Sequence, residues 1–465
     1  MSEVSQFDDN PTHFRRPNQG PREAAPVLCA IGFSCRGLVE AIHAAGFPAM
    51  AIDHFGDHDL RLHCHEAPRV ISWEFDPLDP DSKSSRTFCT QLRAAIGGLP
   101  SNACFVLAGG TENLGALFSG VFDSPDSQAR RGTTALAPSG QQVELLRDPE
   151  NLALWCEDLD VGFPSTVSVA DKVHNFGTDF VGGGERRWLQ KTRFSGGGIG
   201  VFELSAASLP TQSGVYIQQY VPGVVLGVTF CLTPQNAPIM LGATRALTYE
   251  DWPGPLPFIY RGTVGPLVLA ERTCEQLSRL ASRIQERTGL RGWLQMDIVM
   301  SPDGRLWLLE INPRWTAGME VLARSGTNPV LSHLAAYGVT LNRAGDALDA
   351  ATREQPGAMS AKAILYADRD YDLSVDDVKR LQDLRQQSPS RFADIPSIHQ
   401  IDALAGVIRV PSGHPICTLR AERPWEPIVP TASNPGGDAA SSSKIDRELL
   451  QRLQVAREKA LSLLQ

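Results

Sequence analysis

The sequence predicts an α/β protein: a Rossmann-like opening domain, a larger α+β body, and a small β-rich unit toward the C-terminal end. Three stretches carry that prediction. Residues 27–53 read strand–turn–helix–strand, residues 187–201 read strand–lysine–glycine-rich loop, and residues 293–314 read as an acidic β-hairpin. A chain of 465 residues has room for two or three domains, and 42% hydrophobic with 20% charged residues is ordinary for a globular protein. The net charge of −9 argues against a nucleic-acid partner, because phosphate backbones are bound by basic surfaces. No apolar run approaches the ~20 residues that span a bilayer. Residues 1–25 read as a disordered leader without the apolar centre of a signal peptide. Nine cysteines without a CxxC pair read as reduced thiols, and the expected location is the cytoplasm.

Residues 26–137 form the expected opening domain. Val27–Ile31 is a buried-type strand, Gly32–Gly37 turns into an amphipathic helix ending near Gly46, and Ala49–Asp53 is the next strand. The natural site of such a unit lies at its strand ends, but the GxGxxG fingerprint of nicotinamide dinucleotide binding is missing. A further strand, Cys104–Ala108, runs into Gly109-Gly110-Thr111-Glu112-Asn113, where glycines admit close backbone approach and Glu112 could receive an amine or hydroxyl. A plain strand-to-helix turn explains that stretch equally well. Around His63-Cys64-His65, read as strand, only the two histidines share a face, which is a poor metal site.

The second unit, residues 138–340, opens with helical periodicity over Gln141–Asp158. Arg187–Lys191 is a strand ending in a lysine, followed by Ser195-Gly196-Gly197-Gly198-Ile199-Gly200. Successive glycines free backbone N–H groups to cradle phosphate and the lysine adds a point charge, although flexible surface loops share this composition. The hairpin is more specific. Asp303-Gly304 is a two-residue loop signal, which sets Pro302 opposite Arg305 and, counting back, Asp297 directly opposite Glu310. Asn312 shares their face. Facing carboxylates repel, and a hard cation such as magnesium removes the conflict; an ordinary exposed acidic face is the competing reading. Leu267–Thr288 precedes the hairpin as a long helix.

Residues 356–425 are the β-rich unit, with strands at Ser360–Ala367, Ile408–Val410 and Ile416–Arg420. Residues 426–465 are a Pro/Ser/Gly/Ala-rich linker and a terminal helix, Ser443–Gln465, whose leucines suit docking or a homo-oligomer contact.

Glu310-Ile311-Asn312-Pro313-Arg314, together with Lys191 and its glycine loop, resembles the ATP-grasp superfamily. The layout is similar over residues 26–425, and the specific motifs lie within about 185–320. Asp53–Leu60, Gly109–Asn113 and Ser360–Arg420 look most like the predicted carboligase branch that contains tyramine–glutamate ligase. The resemblance implies an ATP-grasp fold behind a preATP-grasp domain, with ATP and Mg²⁺ (or Mn²⁺) as cofactors. It implies that Lys191, Ser195, Gly196, Gly197, Gly198 and Gly200 hold the β- and γ-phosphates, and that Gln218-Gln219-Tyr220-Val221 contacts adenine. Asp297, Glu310 and Asn312 would ligate the metal, and Arg314, with Lys191, would serve catalysis. Two positions depart from the pattern. Val225 stands where a ribose-binding glutamate is usual, and Pro149 follows Asp148 where a basic residue is usual, leaving Arg147 as the nearest substitute. The implied reaction activates a small carboxylate, an amino acid among the candidates, as an acyl phosphate for attack by an amine, with a role in cofactor biosynthesis one option. The partners implied are small molecules, not nucleic acid or membrane. A catalytically silent nucleotide-binding regulator and an ATP-grasp carboxylase or kinase are the rival readings.

Overall fold

The computed structural model describes residues 26–115, 117–123, 133–168, 187–204, 213–339, 356–387, 391–397, 400–401, 405–427 and 443–464. The leader 1–25 and nearly all of the linker lie outside the described residues. The first unit is a parallel sheet of β1 (Val27–Ile31), β2 (Ala49–Asp53), β3 (Arg69–Val70), β4 (Ala103–Leu107) and β5 (Thr134–Ala135), in the order β3-β2-β1-β4-β5. Continuous apolar strands such as Val27–Ile31 suit a sheet covered on both faces. Helix α1 (Arg36–Ala44) follows β1, and α3 (Lys83–Gly97) precedes β4. The stretch around His63 is a correction: His58–His63 is helix α2, not strand. Among the described residues, no group of three or more His, Cys, Asp or Glu side chains is set to hold a metal ion.

The predicted helix over Gln141–Asp158 is two helices, α4 (Gly140–Arg147) and α5 (Pro149–Cys156), broken at Asp148. Proline cannot donate the helical hydrogen bond, so the chain restarts there, with Asp148 accepting from the Glu150 N–H. Strands β7 (Thr166–Ser168), β8 (Trp188–Thr192), β9 (Phe202–Glu203) and β10 (Val215–Gln219) form a small antiparallel sheet in the order β7-β10-β8-β9. A nine-stranded sheet is built around β11 (Val224–Leu232), β12 (Ile239–Ala246), β13 (Gly262–Leu267), β14 (Gly292–Met300) and β15 (Leu306–Asn312). At one end β6 (Val161–Gly162) runs parallel to β15. At the other, β16 (Ala358–Tyr366), β20 (Pro415–Pro424) and β18 (Arg391–Ala393) extend the same hydrogen-bonded sheet. The long helix α6 (Glu271–Thr288) buries Leu277, Leu280, Ala281 and Ile284, one face at 3.6-residue spacing. Helices α7 (Ala317–Arg324), α8 (Pro329–Ala336) and α9 (Val375–Gln387) come next, and the terminal helix α10 (Ser443–Leu463) buries Leu449, Leu453, Ala456 and Ala460 in the same core. That helix therefore docks on its own chain. Among the described residues no helix is long and apolar enough to cross a membrane.

Charge ties these parts together. Glu320 on α7 is buried and accepts from Arg36 of α1 at 2.9 Å, Lys362 of β16 at 2.8 Å and Arg420 of β20 at 2.7 Å. Burial alone would raise its pKa, but Arg36, Lys362 and the nearby Arg324 bring it down to about 2. A buried ion cluster is an orienting device more than a stabilising one, and here it fixes α7 from three sides.

His333 of α8 performs a similar task with neutral groups. Its Nδ1 accepts from the Trp293 N–H at 3.1 Å, so Nε2 carries the proton and donates to the Leu136 carbonyl at 2.9 Å. Its ring stacks on Trp293 at 3.8 Å, and Gly292 is required beside it because a Cβ there would lie 2.3 Å from Nδ1. Burial lowers the His333 pKa from 6.5 to about 4. The unfolded chain thus binds the extra proton between about pH 6.5 and 4, so stability is full above that window and falls as the pH descends through it, by on the order of 3 kcal/mol. Melting temperatures between pH 7 and 4.5 should fall more steeply for the wild type than for His333→Gln; parallel slopes would show that His333 does not titrate in this way.

Candidate active site

The two strands of the acidic hairpin pair as Met300 with Leu306, Val299 with Trp307 and Ile298 with Leu308, then as Asp297 with Glu310 and Gln295 with Asn312. The facing carboxylates predicted from the sequence are there, but by another route. The loop has three residues, Pro302–Gly304, closed by Ser301 N–H donating to Arg305 O at 2.9 Å, with Gly304 at φ +81°. This corrects the two-residue loop. The resulting one-residue offset is undone by a bulge at Leu309, which restores the predicted pairing and turns both Leu309 and Glu310 toward one cleft.

That cleft, about 790 Å³, runs between the small sheet and the nine-stranded sheet. Asp297 Oδ2 and Glu310 Oε1 both accept from Asn312 Nδ2, at 3.1 and 3.2 Å, and Gln295 Nε2 donates to Asp297 Oδ1 at 2.8 Å. Burial and the Glu310 charge push the Asp297 pKa well above the usual carboxylate range. Glu310, enclosed by the cleft walls, would also be raised, but Arg147 and Lys191 hold it at about 2. Two opposed carboxylates are a hard-cation donor pair whose mutual repulsion such a cation would relieve; Asn312 turns Nδ2 toward them and Oδ1 toward Arg314, so its amide oxygen would join the set after the amide flips. Asp297, Glu310 and Asn312 fit the magnesium site that the resemblance implies. Gln295, two residues from Asp297 on the same face, was not singled out from the sequence; alternation along the strand was the signal for it.

The cleft is cationic on its other side. Lys191 on β8 donates from Nζ to Gln218 Oε1 at 3.0 Å. Arg147, at the end of α4, donates from Nη2 to the Arg193 and Ser195 carbonyls at 2.9 and 2.8 Å, and its Nη1 lies 3.7 Å from Glu310 Oε2. It therefore anchors the base of the glycine loop and faces the carboxylates at once. Ser195, Gly196, Gly197 and Gly198 line the cleft; Gly200 turns away, where a Cβ would lie 2.5 Å from Thr192 Oγ1. At the far end Gln218, Gln219, Tyr220 and Val221 form a wall with Val225 and Leu309. Gln218 is buried and committed to Lys191 and Thr166, and Tyr220 lies under the Arg187 guanidinium at 4.3 Å. At the near end Arg314 Nη2 donates to Asn312 Oδ1 at 3.0 Å and to Glu112 Oε1 at 2.5 Å. Ala317 and Gly318, the first residues of α7, line the cleft beside it.

The glycine loop is docked: Tyr260 N–H donates to Gly197 O at 2.8 Å, and Gly198, at φ +78°, packs so tightly that a Cβ would lie 1.8 Å from Phe258 O. Gly197 (φ +63°) faces open space, its nearest neighbour being the Tyr260 Cβ at 3.9 Å. Gly198→Ala should therefore dislodge the loop and slow turnover by about tenfold or more, with thermal stability nearly unchanged because the loop buries little. Equal turnover in wild type and variant, or a melting temperature that falls in step with activity, would contradict that assignment.

Two sheets thus enclose one cleft in an α/β protein, with opposed carboxylates on the large sheet and a lysine and glycine loop on the small one. Residues 152–318 match the family profile of the ATP-grasp domain, and this chain carries that domain. No curated protein matches the chain significantly. Among solved structures it is similar to carboxyaminoimidazole ribonucleotide synthase from Aspergillus clavatus complexed with ATP, at 12% identity and a TM-score of 0.59, over 92% of this chain and 99% of that one. N5-carboxyaminoimidazole synthetase from Staphylococcus aureus complexed with ADP gives 12% and 0.58, over 91% and 96%. L-amino acid ligase from Bacillus licheniformis gives 11% and 0.57, over 92% and 98%. At such identities the likeness establishes the fold.

Proposed function

We propose that the protein is an ATP-dependent carboxylate–amine ligase working through an acyl phosphate, with ATP and Mg²⁺ as cofactors. One observation carries this reading: the cationic path of Lys191 and Arg147 leads past Asp297 and Glu310 and ends at Arg314 and the N-terminus of α7. The three relatives described above, two of them crystallised with ATP or ADP and one an amino-acid ligase, support it. ATP would have its base held by Gln219–Val221, Val225 and Leu309 and its phosphates by Gly196–Gly198, all of which line the cleft. A magnesium ion held by Asp297, Glu310 and Asn312 would screen the phosphate charge and orient the terminal phosphoryl group. Arg314 and the N-terminal end of α7, at Ala317 and Gly318, present a carboxylate to that group.

The carboxylate oxygen attacks the γ-phosphorus and ADP leaves. The amine then attacks the acyl carbon, a C–N bond forms, the C–O bond to phosphate breaks, and the amine gives up a proton. The chain's own residues position groups and neutralise charge, and no nucleophilic side chain is needed. The docked loop keeps water from the acyl phosphate. A small carboxylate, with amino acids first in line, is the substrate class, and C–N bond formation in the cytoplasm is the activity. The test is to incubate the protein with Mg·ATP, hydroxylamine and a panel of amino and other small carboxylic acids. Acid-dependent ADP with a matching hydroxamate supports the ligase. ADP without hydroxamate from any acid would show a plain ATPase, and tight Mg·ATP binding without turnover would show a regulator.

A further inference from the structure

The turn after β4 takes no part in the reaction just described, yet it reaches into the site. Gly110, at φ +93°, bends the chain into Thr111–Asn113. Glu112 is only 2% exposed; its Oε1 accepts from Arg314 Nη2 at 2.5 Å, and its Oε2 meets no hydrogen-bond partner among the described residues. The next side chain, Asn113, accepts from Arg147 Nη2 at 3.2 Å. Main chain registers the same two segments, since the Trp315 N–H donates to Leu107 O at 2.9 Å. Gly109 is open toward the guanidinium, for a Cβ there would lie 3.9 Å from Arg314 Cζ.

Arg314 thus stands between two sets of carboxylates. On one side is Glu112, and on the other are Asp297 and Glu310, reached through Asn312. An enclosed guanidinium held only from the second side would collapse onto those carboxylates and compete there with a divalent cation. We propose that Glu112 is a positioning residue: it holds Arg314 off Asp297 and Glu310, so that the guanidinium faces the reacting carboxyl and the carboxylates stay free for the cation. The inference rests on the role given to Arg314 in the ligase reading. It makes the opening unit a part of the site rather than a neighbour of it.

The experiment is a double-mutant cycle with two readouts. Glu112→Gln keeps the shape and removes the charge. Its kcat for hydroxamate formation should fall about tenfold or more at nearly constant KM for ATP. Calorimetric titration of the variant should need more Mg²⁺ to reach the wild-type ATP affinity. In an Arg314→Lys background, Glu112→Gln should add less than about twofold, because residues that act as a unit do not add. Effects that multiply fully, or a variant with unchanged kcat and unchanged Mg²⁺ dependence, would overturn the proposal. A fall in kcat accompanied by an equal loss of thermal stability would overturn it too, as a merely structural contact. Failure of the ligase reading is distinguishable: wild type would then trap no hydroxamate, while the Mg²⁺ titration still reports on Glu112.

Discussion

Glu310→Gln should abolish turnover and weaken Mg·ATP binding by about tenfold or more, a loss of roughly 1.4 kcal/mol or above. The geometry makes the effect specific. Glu310 faces Asp297 across the strand pair, leaves about 34% of its side chain open to the cleft, and draws Arg147 and Lys191 toward it. The amide keeps the volume and the bulge but lacks the charge that a hard cation requires. Stability should hold or rise slightly, because the substitution removes repulsion against Asp297. Calorimetry with Mg·ATP, alongside a melting curve, separates the two effects. Equal affinities in wild type and variant would remove Glu310 from the metal site.

Arg314→Lys should leave Mg·ATP binding near the wild-type value and lower the rate of acyl transfer by about two orders of magnitude or more. That scale is typical of losing one preorganised charge aimed at a transition state. The guanidinium serves three acceptors at once, Glu112 Oε1, Asn312 Oδ1 and the Trp315 carbonyl. A lysine ammonium has no planar fork with which to keep those contacts while facing a carboxyl or phosphoryl group. The measurement is hydroxamate formation at saturating Mg·ATP. A variant as fast as wild type would show that Arg314 only packs the seam between β4 and α7.

Local chemistry was legible in the sequence wherever it depends on neighbours along the chain. The facing of Asp297 and Glu310 followed from strand alternation and a turn signal, and the glycine loop announced itself by composition. The Leu309 bulge did not, because it lies within the apolar run Leu306–Ile311, interrupted only by Glu310, where nothing distinguishes a paired residue from an extra one. The predicted pairing was right because the longer loop and the bulge shift the register by one residue in opposite senses. The break at Asp148-Pro149 was visible as a proline and was nonetheless read through, since the apolar spacing resumes beyond it. Helix α9, largely charged, carried too weak a periodicity to stand out. The remaining features join distant residues. Glu112 and Arg314 are 202 positions apart, and β16, β18 and β20 complete a sheet whose other strands all lie before residue 313. A single sequence holds no record of such pairings, so Glu112 showed only as a carboxylate on a glycine turn.

The central claim is that a substrate carboxyl becomes an acyl phosphate before it meets an amine. Transfer of oxygen-18 tests it with no substitution in the protein. An acid that supports hydroxamate formation is labelled in its carboxyl group and incubated with the wild-type protein, Mg·ATP and an amine, and the released phosphate is read by mass spectrometry. The account predicts one labelled oxygen in the phosphate for each amide bond formed, because the carboxyl oxygen that attacks phosphorus departs with it. Unlabelled phosphate from a reaction that still makes the amide would contradict it.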